Sequence, residues 1–343
     1  MVTDRFTRTS VIDFLCALSP VGAALHLLPT VCTENRLAFA RSMLALVALS
    51  IALAGSSAGC RSRGHDATRR RAALADASVA PGSRSSGAST ARTVLITAHD
   101  YAFTGVPARI HAGWLTFRLA NAGSEVHMLG IARVPYGHSA RAVLDAIARD
   151  RVEPETTDWG GPNAVSPGDT ATVTLFFPAG EYAITCSVES ADGKMHALHG
   201  MMALMTVTGT PDSSSAAAHA PPPADASVTL TDYHIAVLGA LTAGDRTVHV
   251  QNGASRGHDL EILEILPGHS AADAMRWFEH PARETPTARA IGGVVAIHPG
   301  QQAVVSATFR PGKYLFLCWV PDSAGRPHFR RGMHQAITVA AAR

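Results

Sequence analysis

From about residue 92 onward, short runs of alternating or wholly apolar residues are punctuated by glycine, proline and asparagine turns. Residues 116–119, 170–177 and 182–186 read as strands of this kind, and 247–250, 303–309 and 314–318 repeat the pattern. One segment in each stretch changes period. Val143, Leu144 and Ile147 recur at helical spacing after Ser139, as do Ala274, Trp277 and Phe278 after Ser270. Each serine stands where an N-cap belongs, and Ser270 with Asp273 has the spacing of a capping box. Short strands about ten residues apart with a single helix predict a mainly β chain built of small sandwiches.

The two stretches are copies of one unit. Asp100-Tyr101 corresponds to Asp232-Tyr233, and Asn121-x5-His127 to Asn252-x5-His258. Gly137-His138-Ser139 answers Gly268-His269-Ser270, Pro167-Gly168 answers Pro299-Gly300, and Tyr182 and Tyr314 each stand four residues before a cysteine. The reading is therefore domain 1 over 92–209, an Ala/Ser/Pro linker over 210–225 and domain 2 over 226–343.

Upstream, a basic flank and the short apolar run from Arg41 to Gly55 have the form of an export signal, so 1–60 is a presequence. Ser57-Ala58-Gly59-Cys60 is similar to a bacterial lipobox, with Ser57 where leucine is usual; lipidation at Cys60 and ordinary cleavage near Ala58 are the two alternatives. A second apolar run from Val11 to Leu28 leaves two readings as well, an early start codon or a longer membrane anchor. Residues 61–91 lack large apolar groups and read as a disordered tether.

Composition narrows the picture. The 343 residues are 47% hydrophobic with a net charge of +2, enough for two cores and without the footprint of a nucleic-acid binder. Of five cysteines, Cys16, Cys32 and Cys60 fall in the presequence, which leaves Cys186 and Cys318 as the thiols of the folded part.

Each of those thiols opens the same motif. Cys186, His196 and Met201 follow Cys-x9-His-x4-Met with glycine just before the methionine, and Cys318, His328 and Met333 do the same. A thiolate, an imidazole and a thioether within one loop favour copper over zinc or calcium. Three blander readings compete: an inert buried thiol, a disulfide between the two cysteines, and zinc. None accounts for the identical recurrence of His and Gly-Met behind both cysteines.

Taken together, Asn-x5-His, the Pro-Gly turn, Tyr-x3-Cys and His-x4-Met resemble the cupredoxin family of blue (type 1) copper proteins. The resemblance spans nearly all of both copies and implies two tandem Greek-key β-sandwiches, each with one short helical insertion. Carried over, it implies ligands His127, Cys186, His196 and Met201 in domain 1, and His258, Cys318, His328 and Met333 in domain 2. The nine-residue spacer behind each cysteine is longer than in plastocyanin-like members and similar to that of copper nitrite reductases. In domain 1, His199 and Met202 compete with His196 and Met201. Trp319 and Phe329, and Met195 or Met202 in domain 1, are the expected apolar shell of the sulfur.

Oxidases and nitrite reductases of this architecture add catalytic copper held by a histidine beside the type 1 cysteine and by His-x-His pairs. Thr185, Ser187, Leu317 and Trp319 flank the cysteines here, and neither copy contains a His-x-His pair. The expectation is accordingly an electron carrier and not an enzyme: a periplasmic, membrane-anchored lipoprotein (or a secreted protein) with two type 1 copper sites, exchanging electrons with redox proteins and meeting the membrane through its lipid or N-terminal segment. A copper-delivery module and a structural lipoprotein with vestigial sites are the alternatives.

Overall fold

The computed structural model describes residues 91–149, 155–210 and 220–342. The export signal, Cys60 and nearly all of the tether lie outside the described residues, as does most of the linker. The first copy contributes β1 (Arg92–His99), β2 (Ala102–Thr104), β3 (Arg109–His111), β4 (Gly113–Asn121), β5 (Gly130–Arg133), β6 (Thr157–Gly160), β7 (Thr170–Phe177), β8 (Gly180–Thr185) and β9 (Met202–Thr208). The second contributes β10 (Ala226–Thr231), β11 (His234–Leu238), β12 (Gly244–Asn252), β13 (His258–Ile265), β14 (Ala288–Ile297), β15 (Gln302–Phe309), β16 (Gly312–Leu317) and β17 (His334–Val339). Helix α1 (Ala140–Ala148) and helix α2 (Ala271–Glu279) are the two expected insertions.

Both helices begin at the expected serines. Ser139 accepts from the Ala142 amide, and Ser270 and Asp273 form a reciprocal capping box. Each helix buries its apolar stripe on the outside of a sandwich. Val143 and Leu144 of α1 meet Ala183 and Met202, while Trp277 and Phe278 of α2 meet Leu263, Ile265 and Leu315. Strand β13 is consequently covered on both faces, which is why its residues are buried almost without alternation.

The strands form two sheets, one ordered β11-β10-β12-β15-β7-β4-β1-β2 and the other β17-β16-β13-β14-β6-β5-β8-β9-β3. Each sheet runs straight through both copies. Antiparallel β7 and β15 join the halves of the first, and β6 and β14 those of the second. The junction has a two-fold logic. Val173 pairs with Val305, residues with the same separation as Cys186 and Cys318 and hence equivalent. Trp159 pairs with Ile297 while their counterparts Ile291 and Val165 also pair, and Pro162 meets its own equivalent Val294. This is the isologous pattern of a symmetric dimer, realised within one chain. Polar contacts cross it too: Arg289 to Asp169 at 2.7 Å, Asn163 to the Leu260 carbonyl at 3.2 Å and Gln301 to the Trp159 carbonyl at 3.0 Å.

One backbone device recurs at this seam. Gly160-Gly161 and Gly292-Gly293 occupy equivalent positions with φ of +95°, +115°, +105° and +139°. A Cβ on Gly161 would collide with the Leu129 carbonyl oxygen, and one on Gly293 with that of Leu260. Those carbonyls lie two residues beyond His127 and His258, so the glycines let the seam strands close onto the strands that carry histidines. Gly293→Ala is expected to cost about 1–3 kcal/mol from backbone strain alone, with the collision adding to it. Chemical denaturation should show this as a lower midpoint of a single transition shared by both copies, because the sheets are continuous. A neutral substitution, or two separated transitions in the native chain, would contradict the seam.

Candidate metal centres

Each loop is built by the same backbone bonds. In the first copy the Cys186 amide donates to Met201 O at 3.2 Å, Ala197 to Cys186 O at 2.9 Å and His196 to Val188 O at 2.8 Å. In the second, Cys318 donates to Met333 O, Phe329 to Cys318 O and His328 to Val320 O, at 3.1, 2.8 and 2.8 Å. The histidine opens a 3-10 turn, His196–His199 or His328–Arg331. Gly200 and Gly332 end that turn with φ of +103° and +97°. This explains the recurrent Gly-Met: only a left-handed residue turns the chain so that the methionine amide returns to the histidine carbonyl, at 3.0 and 3.1 Å.

The other histidine comes from the neighbouring strand of the same sheet, since β5 pairs with β8 and β13 with β16. His127 precedes β5 and His258 opens β13. Three donor atoms then converge in each copy. In the first, His127 Nδ1 lies 3.0 Å from His196 Nδ1, which lies 3.4 Å from Cys186 Sγ. In the second, His258 Nδ1 lies 3.0 Å from His328 Nδ1, and Cys318 Sγ lies 3.6 and 3.5 Å from the two. All six residues are fully buried, as are Met201 and Met333. The thiols are unpaired, which removes the disulfide alternative.

Of the competing residues in the first copy, it is His196 that enters the group. His199 hydrogen-bonds Ser190 and Asp192 instead, at 3.1 and 3.2 Å, and Met202 packs toward α1. His111, His138, His234 and His269 are exposed, while His298 lies against Trp159. Tyr182 and Tyr314 are buried with their hydroxyls bonded to backbone. The expected sulfur shell of domain 2 differs. Trp319 and Phe329 stack on each other at 5.2 Å and join the α2 cluster, whereas Cys318 sits with Leu260 and Met333 in the main core. Alternation is the reason: the residue after the cysteine faces the other side of its sheet.

Outward of the imidazoles stand carboxylates that the repeat pattern displayed without revealing their role. Asp100 Oδ1 lies 3.1 Å from His127 Nε2, Glu125 Oε2 lies 2.8 Å from His196 Nε2, and Asp232 Oδ1 lies 3.3 Å from His258 Nε2. A carboxylate only accepts, so each of these Nε2 atoms carries the proton and each Nδ1 presents a lone pair. Asp100 also accepts from the backbone of Ser124 and Glu125, tying that loop to the site. Asp100 is held at about 2, its hydrogen bonds to Ser124 and His127 outweighing the upward push of desolvation.

Burial dominates the titration of the donors themselves. It pushes the Cys186 thiol up to about 12 and Cys318 well above its ordinary value, while lowering His127, His196 and His258, and His328 to about 4. The imidazoles are thus neutral at pH 7. Two facing lone pairs at 3.0 Å beside a buried thiol are an arrangement that a cation relieves, and one that draws the thiol proton off as the metal binds. The donor set, one sulfur and two nitrogens, suits copper.

The copies differ in one ligand's support. Where Glu125 meets His196, the second copy has Arg256, and His328 Nε2 is buried without a partner. The second copy instead places Asp259 beside the sulfur. Its Oδ1 accepts from the Trp319 amide at 2.7 Å, and burial raises it to about 7. Met128 holds that position in the first copy, its amide pointing at Cys186 Sγ at 3.5 Å. Glu125→Ala is expected to weaken metal binding by the first group 10–100-fold and leave the second unchanged, as read by chelator competition. Equal weakening of both would show that Glu125 acts on the fold and not on His196.

No family model and no curated protein matches the chain. Among solved structures, the chain is similar to the dithionite-reduced auracyanin of Roseiflexus castenholzii, at 19% identity over 35% of this chain and 98% of that one, with a TM-score of 0.24. It is similar to a multicopper oxidase at 15% identity over 73% and 89% of the two chains, TM-score 0.23, and to the copper nitrite reductase of Nitrosomonas europaea at 15% over 72% and 93%, TM-score 0.21. The oxidase and reductase that match along both copies are enzymes, so the expectation that this chain is not an enzyme is withdrawn. That expectation rested on missing His-x-His pairs and bridging histidines, a motif argument that sees only local spacing. Two continuous sheets, with a His/Cys/His group able to hold a metal at the end of each half, make the chain a tandem pair of cupredoxin-fold repeats.

Proposed function

We propose that the chain is an extracytoplasmic, membrane-tethered copper protein that passes electrons through two type 1 copper sites, one in each repeat. His127, Cys186 and His196 with Met201 hold one ion, and His258, Cys318 and His328 with Met333 hold the other. The observation that carries this reading is the convergence, twice, of two imidazole nitrogens and one Sγ within 4.8 Å of one another in a fully buried pocket, with the two Nδ1 atoms 3.0 Å apart in each. Bound copper would supply a one-electron couple between Cu(II) and Cu(I).

The rest is the work of the chain's own residues. The 3-10 turn and the cross-strand amides hold the cysteine, histidine and methionine in one loop, so a change of charge need move little. Asp100, Glu125 and Asp232 keep the Nδ1 lone pairs aimed inward. Full burial of each sulfur, in apolar core at Cys186 and beside Asp259 at Cys318, excludes water. Export, and a lipid on Cys60, would hold the protein beside redox partners in the same compartment and raise their effective concentration.

Copper(II) titration of the full chain should develop an intense thiolate-to-copper visible band saturating at two ions per chain. The band should halve in Cys318→Ser and vanish when Cys186→Ser is added. Each site should also give a reversible one-electron wave at an electrode; a blue protein without one would store or deliver copper instead. Colourless protein carrying stoichiometric copper would rule out type 1 sites.

A further inference from the structure

We infer that the two sites open onto docking faces of opposite charge, the first fitted to a positively charged redox partner and the second to a negatively charged one. The inference rests on the two-site electron-transfer reading and adds the kind of partner at each end.

Both ligand edges are capped alike. Tyr101 and Tyr233 are the non-glycine residues with positive φ among the described residues, at 66° and 63°. Their rings meet His196 and His328 edge-on at 5.2 and 5.0 Å. Such strain, repeated at equivalent positions, is maintained where a side chain must be held over a site. Each cap is half-buried and covers the edge of an imidazole that is itself fully buried.

What surrounds the caps is reversed. On the first, the charged groups touching the imidazoles or Tyr101 are Asp100 and Glu125, and the Tyr101 hydroxyl donates to Glu125 at 3.3 Å. His199, also against Tyr101, is bonded to Asp192. The cations nearby, Lys194 and Arg283, reach the loop only at its tip, beside Asp192 and the Ala191 carbonyl. On the second, two guanidiniums lie over the Tyr233 ring, Arg256 at 5.8 Å and Arg331 at 5.1 Å. Asp232 is paired with Arg256 at 3.4 Å. Asp322 is buried and already bound by Arg326 and Arg331, and Arg330 is paired with Glu279.

The reversal is carried by two positions. Glu125 becomes Arg256, two residues before the first ligand histidine, and His199 becomes Arg331, three after the second. Both faces keep the aspartate that supports the first histidine. None of the groups that change is a metal donor, although Glu125 also supports His196, and their signs act on what approaches. Charges of this kind around a single exit steer encounter by factors of 10–10³ at low salt.

The test uses the copper-loaded full chain as Cys318→Ser, which leaves the first site, and as Cys186→Ser, which leaves the second. Each is mixed rapidly with hexaammineruthenium(II), a cation, or with the iron(II)–EDTA chelate, an anion. Either donor gives one electron, becoming ruthenium(III) or iron(III), and bleaches one blue band. At the first site the cation's rate should fall about 10-fold as salt rises from about 10 mM to about 0.15 M and the Debye length shrinks from about 30 Å to about 8 Å, while the anion's rate rises. At the second site the two dependences should exchange, and Arg256→Gln with Arg331→Gln should remove the preference for the anion. The native chain gives the same answer without cysteine variants, as two bleaching phases whose salt slopes have opposite sign for one probe. Blue bands with salt slopes of one sign at both sites would overturn the inference and leave the copper reading standing; no blue band in any form would overturn the copper reading and this inference with it.

Discussion

In the first repeat two neutral imidazoles hold their Nδ1 atoms 3.0 Å apart beside a buried thiol, an arrangement that a shared cation relieves. In the first repeat both outward nitrogens are committed to carboxylates that can only accept, so neither ring can escape by turning its proton inward. Burial acts in the same direction. It keeps the rings neutral and makes the free thiolate costly, so a metal ion is what makes the ionised sulfur favourable there. The loop bonds, the left-handed glycines and the aspartate that gathers its neighbouring amides all serve this one convergence.

Much of this was legible in the sequence because the chain states it twice. A buried Cys, His or Met carries no label alone, but Cys-x9-His-x4-Met in duplicate does, and the glycine before each methionine marked a turn that the structure then required. The helix caps at Ser139 and Ser270 were equally readable, since capping is local chemistry. The ambiguity between His196 and His199 was not resolvable by spacing. The turn itself points the first ring toward Cys186 and lets the third residue after it reach Asp192.

What escaped the sequence was whatever depends on pairing across the fold. Asp100 and Glu125 stand 27 and 71 residues from the histidines they support, and no periodicity links them. The destination of Trp319 depended on which face of its sheet α2 covers. The seam was hidden for a related reason. The strands that meet there, β7 with β15 and β6 with β14, are unremarkable apolar segments, and a Pro-rich spacer between copies fits packed and separate domains alike. Yet each repeat alone would leave β7 and β6, or β15 and β14, as open sheet edges, and joining equivalent edges about a pseudo-two-fold covers these at once.

That seam changes how the two centres should be compared. Repeats on a loose linker could differ in accessibility or orientation, and any functional difference could be assigned to motion. Continuous sheets of eight and nine strands remove that freedom within the described residues, so the two groups share one frame and one set of loop bonds. Differences between them must then come from substitutions at matched positions. Glu125 against Arg256, Met128 against Asp259 and His199 against Arg331 each alter charge around the group while sparing its donor atoms. Conserved donors within a rigid duplicate, and altered charge around them, are what a chain needs if its two halves are to hold the same ion and meet different surroundings.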